Sequence, residues 1–259
     1  MIDSHCHLEQ EDFDKDRDEV IERAKKELKA VITCCAVPGD FEKTIEMVKK
    51  YKGFVFASVG LHPEEIKNVK ESEKDEFLEL IEQNKNFIVS VGEIGLDYFW
   101  IREEEWRKKQ KELFIEMINF AKEIKKPITV HLRDAFEDGV KILEQEDAKK
   151  VHLHLFGAPH LLPTVIENNW YVSIGPIILR SKKHKKIGKR IPLDLLLLET
   201  DAPWMAPEQL TQGIKARCEP IAIKVVAEKI AEIRKISFEE VWRKCGENAV
   251  KFFNLPIKL

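Results

Sequence analysis

The sequence predicts an α/β chain folded as a (β/α)8 TIM-type barrel, one domain over residues 1–259. Two observations predict it. Short apolar runs alternate with amphipathic, charge-rich segments along the whole chain, and side chains of ligand type recur where those runs stop. A length of 259 residues and an apolar share of 44% suit one such barrel with a sizeable core.

The first run is Ile2-Asp3-Ser4-His5-Cys6-His7. Side chains alternate across a strand, so His5 and His7 share one face and Cys6 takes the other. Two imidazoles side by side at a strand end can hold one metal ion. A helix over 13–29 leads to the strand 31–37 (VITCCAV), and Asp40 opens a helix over 40–51. After the strand 54–60 (FVFASVG), Ser72 with Asp75 three residues on marks the start of a helix over 73–85. The strand 87–93 (FIVSVGE) ends on Glu93, between Gly92 and Gly95. A helix over 102–125 sets Leu113, Met117, Phe120, Ala121 and Ile124 at core spacing.

The strand 128–132 (ITVHL) brings His131, and a helix over 135–147 follows. The strand 151–155 (VHLHL) brings His152 and His154; both fall on one face, so spacing does not choose between them. A helix over 160–168, the strand 171–174 (YVSI), a lysine-rich helix over 181–189 and the strand 195–199 (LLLLE) complete eight strands, with Asp201 just beyond. Two helices, 219–234 and 238–253, end the pattern, the second opened by Ser237 with Glu240 three residues on. An open doubly wound sheet is the alternative, but no Gly-rich phosphate loop follows the first strand.

In a barrel of this kind the C-terminal strand ends share one mouth. His5, His7, Glu93, His131, the histidines of the sixth strand and Asp201 therefore converge. Mixed imidazole and carboxylate donors suit Zn, Mn, Mg, Co or Ni.

The same residues carry a resemblance. Asp3-Ser4-His5-Cys6-His7-Leu8, Gly60-Leu61-His62-Pro63, Gly92-Glu93-Ile94-Gly95-Leu96-Asp97-Tyr98, Pro127-Ile128-Thr129-Val130-His131-Leu132-Arg133, Leu198-Glu199-Thr200-Asp201-Ala202-Pro203, Arg217-Cys218-Glu219-Pro220 and Glu247-Asn248-Ala249 resemble TatD-type metal-dependent deoxyribonucleases, nearly end to end. The resemblance implies two divalent ions, one held by His5, His7, Glu93 and Asp201, the other by Glu93, His131 and His154. Glu93 is the bridging candidate because a carboxylate has two oxygens to share. Such a pair of ions offsets the negative charge by which a phosphodiester repels a nucleophile, and Asp201 is then the general base. Local usage offers Asp201 another role, as an N-cap before Ala202-Pro203. Two places depart from the family pattern: His154-Leu155-Phe156-Gly157 stands for His-Cys-Phe-Ser-Gly, and Cys218 stands for an asparagine. Both bear on substrate choice more than on metal.

Outside the ligand set, His62, Arg133 and Arg217 are candidate phosphate contacts, and Trp204 is the candidate base-stacking residue, with Trp100 and Trp106 as further possibilities. His152 reads as a hydrogen-bonded core residue, Glu199 as a buried carboxylate supporting a neighbour, and His160 and His184 as solvated. Residues 180–190 hold a run of Lys and Arg without an acid; such a run tracks a nucleic-acid backbone or forms a solvated outer helix face.

The resemblance makes DNA, trimmed from an end, the expected substrate. The rivals are RNA, an ester of D-aminoacyl-tRNA, or binding without catalysis. A net charge of −3 gives no bulk sign of a nucleic-acid binder. Five cysteines, an odd number, do not read as a disulfide framework. With no membrane-length apolar stretch and no leader before the first strand, a cytoplasmic protein is expected; the oligomeric state is left open.

Overall fold

The computed structural model describes residues 1–207 and 217–259. Eight parallel strands form one sheet in sequential order: β1 (Ile2–Cys6), β2 (Ala30–Cys35), β3 (Val55–Val59), β4 (Ile88–Asp97), β5 (Ile128–Arg133), β6 (Val151–Leu153), β7 (Tyr171–Ile174) and β8 (Leu196–Leu198). Between and after them lie α1 (Arg17–Lys25), α2 (Phe41–Lys50), α3 (Glu71–Gln83), α4 (Glu104–Glu123), α5 (Phe136–Gln145), α6 (Leu162–Glu167), α7 (Lys182–Arg190), α8 (Ile223–Arg234) and α9 (Phe238–Phe253). This is the expected (β/α)8 barrel.

The barrel closes between β8 and β1 largely through side chains and the chain just past each strand. Ser4 Oγ donates to Leu198 O at 2.9 Å, Thr200 N–H and Oγ donate to the Asp3 carboxylate at 3.0 and 2.5 Å, and Asp201 N–H donates to His5 O at 3.0 Å. The seam therefore ties the first strand directly to the segment that carries Asp201.

Most strands stop one or two residues short of the sequence reading, β2 at Cys35 rather than 37, while β4 and β6 differ in ways that shape the mouth. β4 runs on past Glu93 to Asp97, because Ile94, Gly95, Leu96 and Asp97 stay paired with Val130, His131, Leu132 and Arg133. Gly95 permits this: its φ is 143°, and a Cβ there would lie 2.0 Å from His131 O, so only glycine lets β5 approach. β6 stops early, at Leu153; His154 N–H still donates to Val130 O at 3.1 Å, and Leu155 then takes a left-handed φ of 43° that turns the chain away and leaves His154 at the mouth.

Several helix starts shift: α1 begins at Arg17 rather than 13 and α8 at Ile223 rather than 219, each after a short 3-10 turn, at Glu11–Phe13 and Pro220–Ala222. Helix α3 begins at Glu71 rather than 73, because the Glu73 carboxylate accepts the Lys70 N–H at 3.0 Å and closes the first turn two residues earlier than Ser72 would. Ser237 does cap α9, accepting Glu240 N–H at 3.0 Å.

Strand faces turned outward pack on the helices in one continuous core that includes fully buried Trp170, Phe114 and Ile81. Inside the barrel, the lower end is filled by Ile2, Ile32, Phe56 and Leu197 against Phe252 and Phe253 of α9. Above that plug lies a polar layer, Ser58, Ser90, Thr129, His152, Ser173 and Glu199, joined in one chain of contacts: Ser90 to Ser58 at 2.6 Å and to Thr129 at 3.1 Å, Thr129 to His152 at 3.4 Å, His152 to Ser173 at 2.6 Å, Ser173 to Glu199 at 2.6 Å. Every member is satisfied, which is what allows such groups inside a barrel. The five cysteines, Cys6, Cys34, Cys35, Cys218 and Cys245, are free and buried. Among the described residues, no helix is long and apolar enough to cross a membrane.

Candidate metal centre

At the mouth, Glu93 stands between two groups of imidazoles and presents one oxygen to each. Its Oε2 is 3.5 Å from both His5 Nε2 and His7 Nε2, and those two nitrogens are 3.1 Å apart. Asp201 Oδ1 completes that group at 3.7 and 3.6 Å. Glu93 Oε1 is 2.9 Å from His131 Nδ1 and 2.7 Å from His154 Nε2, and these nitrogens are 3.0 Å apart. The six residues expected to share a centre are brought together. The cluster is buried: Glu93 is 3% exposed, Asp201 8% and His5 0%.

The donor set fits metal, and the outer ring nitrogens show why. His7 Nδ1 faces Glu9 Oε1 at 3.0 Å, so it carries the proton and leaves a lone pair on Nε2, pointing inward. His131 Nε2 faces Asp97 Oδ2 at 2.9 Å, which leaves the lone pair on Nδ1, also inward. A carboxylate behind each ring, fixing the tautomer that aims a lone pair at one point, is the arrangement of metal-bound histidines. Among the described residues, His5 Nδ1 and His154 Nδ1 are buried with no hydrogen-bond partner, and the two rings stack at 4.2 Å. For His154 the nearest carboxylate is Glu199, 3.9 Å from that nitrogen.

The buried groups of the site shift one another's ionisation. Burial alone would raise the Glu93 carboxyl, but His154 and His5 hold it well below the ordinary range. Burial opposes the charge on His7 and His131 too; Glu9 outweighs it for His7, lifting it to about 9, and Asp97 with Glu93 does so for His131, lifting it to about 10. Burial and the neighbouring His154 push His5 down to about 3. Asp201 is pushed up to about 6, by burial first and by the Glu93 charge in addition.

Asp201 holds a left-handed φ of 54°, and its side chain faces His5 and His7. Its main chain opens a turn in which Trp204 N–H donates to Asp201 O at 2.9 Å. The N-cap alternative is thus replaced by a strained turn that points the carboxylate inward.

The other expected site residues divide. His62 joins the second group, its Nε2 3.7 Å from Glu93 Oε1. Its Nδ1 accepts Glu64 N–H at 3.3 Å, so Nε2 carries the proton and acts as a donor rather than a ligand. Arg133 is exposed and lies over the Phe99 ring at 3.9 Å. Trp204 is 48% exposed and meets His7 edge-on, ring centres 4.8 Å apart. Arg217 is not brought into the cluster. Its guanidinium is forked onto Asp16, both bonds at 2.7 Å, and reaches Glu219 at 3.3 Å, over the Phe13 ring. Cys218 is buried and its N–H donates to Pro203 O at 2.8 Å, so that position supports the loop after β8. Phe156 is buried edge-on to Phe136. Trp106 lies under Lys109, 4.1 Å from the ring centre.

His184 corrects the sequence reading: it is 7% exposed, held by Ser181 Oγ at 2.8 Å and near Leu155 O at 3.3 Å. It sits on the one face of α7 that turns inward, which a run of lysines hides in the sequence. His160 is exposed and pairs with Glu137. His152 and Glu199 lie in the buried polar layer. Glu9 and Asp97 were missed; the available signals were that Glu9 follows His7 by two, and that Asp97 follows Glu93 by four on one strand face.

A (β/α)8 barrel with a buried imidazole–carboxylate cluster at its C-terminal mouth belongs to the architecture shared by metal-dependent hydrolases. The chain belongs to the family described as TatD related DNase, whose profile matches residues 2–254. It is 35% identical over 263 residues to a human protein named deoxyribonuclease TATDN3, covering 98% of this chain and 94% of that one. It is 37% identical over 261 residues to an uncharacterised metal-dependent hydrolase, YabD, of Bacillus subtilis, covering 98% and 99%. The crystal structure of YJJV, a TatD homologue from Escherichia coli K12, superposes with a TM-score of 0.89 at 25% identity, covering 99% and 98%.

Proposed function

We propose that this chain is a two-ion phosphodiesterase that trims DNA from an end. The observation that carries the reading is the division of Glu93: each oxygen faces a separate pair of imidazole nitrogens, as a bridge between two cations requires. The names of the relatives support the substrate class.

His5, His7, Glu93 and Asp201 would hold one divalent ion and Glu93, His131 and His154 the other. When bound, such ions offset phosphate charge, favour deprotonation of water and steady the leaving oxygen. The chain's own residues do the rest. Glu9 and Asp97 orient His7 and His131. Asp201, with an acidity near 6, is ionised at neutral pH and accepts the proton that the attacking water gives up. His62 offers Nε2–H, and Arg133 an exposed guanidinium, to the phosphate oxygens.

The test offers end-labelled DNA, RNA and a D-aminoacyl-tRNA to one preparation loaded in turn with Zn, Mn, Mg, Co or Ni. Stepwise release of nucleotides from a DNA end is the expected result. Efficient deacylation without nucleotide release would overturn it, and neither activity with any metal would leave a binding role.

A further inference from the structure

Two tryptophans break the polarity of the mouth. Trp100 and Trp204 are 57% and 48% exposed, the most exposed large apolar side chains among the described residues. Each follows a site aspartate by three residues, and each is tied to that aspartate through its own backbone. Trp100 N–H donates to Asp97 Oδ1 at 2.8 Å, and Trp204 N–H donates to Asp201 O at 2.9 Å. Asp97 also holds His131, and Asp201 stands beside His7. One tryptophan is thus anchored to each half of the metal centre. Their strands, β4 and β8, lie four apart in an eight-stranded barrel, so the chain segments that carry the two tryptophans leave the barrel from different sides of its mouth.

Holding an indole in water forgoes the burial that such a side chain ordinarily gains. The surroundings of each ring suggest what covers it. Arg133 lies 5.6 Å from the Trp100 ring centre and 3.9 Å from that of Phe99, setting a guanidinium beside an aromatic ledge. The Trp204 ring meets His7 at an interplanar angle of 65° and is half exposed, so part of the indole is open to another ring. A flat, aromatic partner joined to a phosphate matches both places, and a nucleotide strand supplies two such partners on either side of one phosphodiester.

We propose that Trp100 and Trp204 form a pair of base-stacking subsites that bracket the reacting phosphate, so the ligand is a strand whose two flanking bases are unpaired. This inference rests on the phosphodiesterase reading for the location of the phosphate, and it assigns the bases on its two sides.

The test removes the bases instead of the phosphates. Dissociation constants are measured by anisotropy, at one fixed salt concentration, for a single-stranded oligonucleotide carrying phosphorothioate at every linkage. The same strand is then tested with an abasic residue at successive positions. Binding is scored in this way whether or not the protein cuts. For the wild-type, metal-loaded protein, two abasic positions one linkage apart should each weaken binding, by about tenfold. In Trp100→Ala one of the two sensitivities should vanish, and in Trp204→Ala the other; Trp100→Phe and Trp204→Phe should restore part of each. Metal content of every variant is measured alongside, since Trp204 touches His7.

Equal affinity for intact and abasic strands would overturn the proposal, as would tryptophan variants that lose the same factor on both. A protein that shows the base dependence but never cuts would refute the phosphodiesterase reading and leave the subsites standing. Cutting that is indifferent to abasic positions would do the reverse.

Discussion

His7 Nδ1 lies 3.0 Å from Glu9 Oε1, and Glu9 in turn accepts the Thr33 hydroxyl at 2.6 Å. Glu9 is fully buried, so this contact alone decides which nitrogen of His7 is turned toward Glu93 and Asp201. Glu9→Gln should keep the shape and lose the anion behind the ring. Metal affinity, measured by competition with a chromogenic chelator, should fall by about 10–100-fold, and Asp97→Asn should act alike on His131. Wild-type affinity in both variants would mean that packing, not these carboxylates, orients the rings.

Elemental analysis of protein saturated with metal should return about two divalent ions per chain. Chelation should abolish hydrolysis, and added metal should restore it. Full activity with a single tightly held ion would contradict the bridging role of Glu93.

Asp201→Asn should fold normally, since the seam bonds from Ser4 and Asp3 are untouched and the main-chain turn is retained. It should lose turnover by about 10²–10⁴-fold, because an amide cannot take the water's proton. A variant with near-normal kcat would place the base elsewhere.

The raised pKa values of His7 and His131 give metal binding a pH dependence. Below about 9 for His7 and about 10 for His131, a proton occupies the nitrogen that metal needs. Apparent affinity should therefore climb as pH rises toward that range, with protons released on binding. Titration calorimetry in two buffers of different ionisation heat measures the release, and a pH-independent affinity would rule the effect out. In the metal-free site Asp201 takes up its own proton near 6, so metal affinity should fall further as pH drops through that range.

Helix α7 turns His184, Ile187 and Gly188 inward and leaves Lys182, Lys183, Lys186, Lys189 and Arg190 exposed. Neutralising several of these lysines, with Lys185, should raise KM for long strands and flatten its salt dependence, by a slope of roughly one per lost phosphate contact. Dinucleotide hydrolysis is the short-substrate comparison. Equal KM changes on long and short strands would make α7 an ordinary solvated face.

The barrel and the six clustered side chains were legible because alternation fixes which residues share a face, and because parallel strands all end at one mouth. His5, His7 and His131 follow from that alternation, whereas Asp201, beyond the eighth strand, stays open between site carboxylate and N-cap until the turn that carries it is seen. Spacing could not separate His152 from His154. The decision rests on where β6 stops, and that depends on the left-handed turn at Leu155, for which leucine gives no signal. Arg217 was misleading for a related reason. Its partners Asp16 and Glu219 lie 201 and 2 residues away, and only the folded chain brings both to one guanidinium. Glu9 and Asp97 escaped notice because a carboxylate behind a histidine looks, in sequence, like any other acid.

The buried cysteines give the molecule a set of internal clocks. A thiol with no access to solvent reacts with an alkylating reagent only when the structure around it opens, so its labelling rate reports that opening. Cys6 lies between His5 and His7 at the closing seam, its thiol 3.4 Å from Ile32 O, whereas Cys245 lies on α9 beneath the barrel. Comparing the two rates in metal-loaded and stripped protein separates a seam that breathes alone from a barrel that opens as one body. If cations brace the seam, stripping them should quicken modification of Cys6 while that of Cys245 keeps its pace.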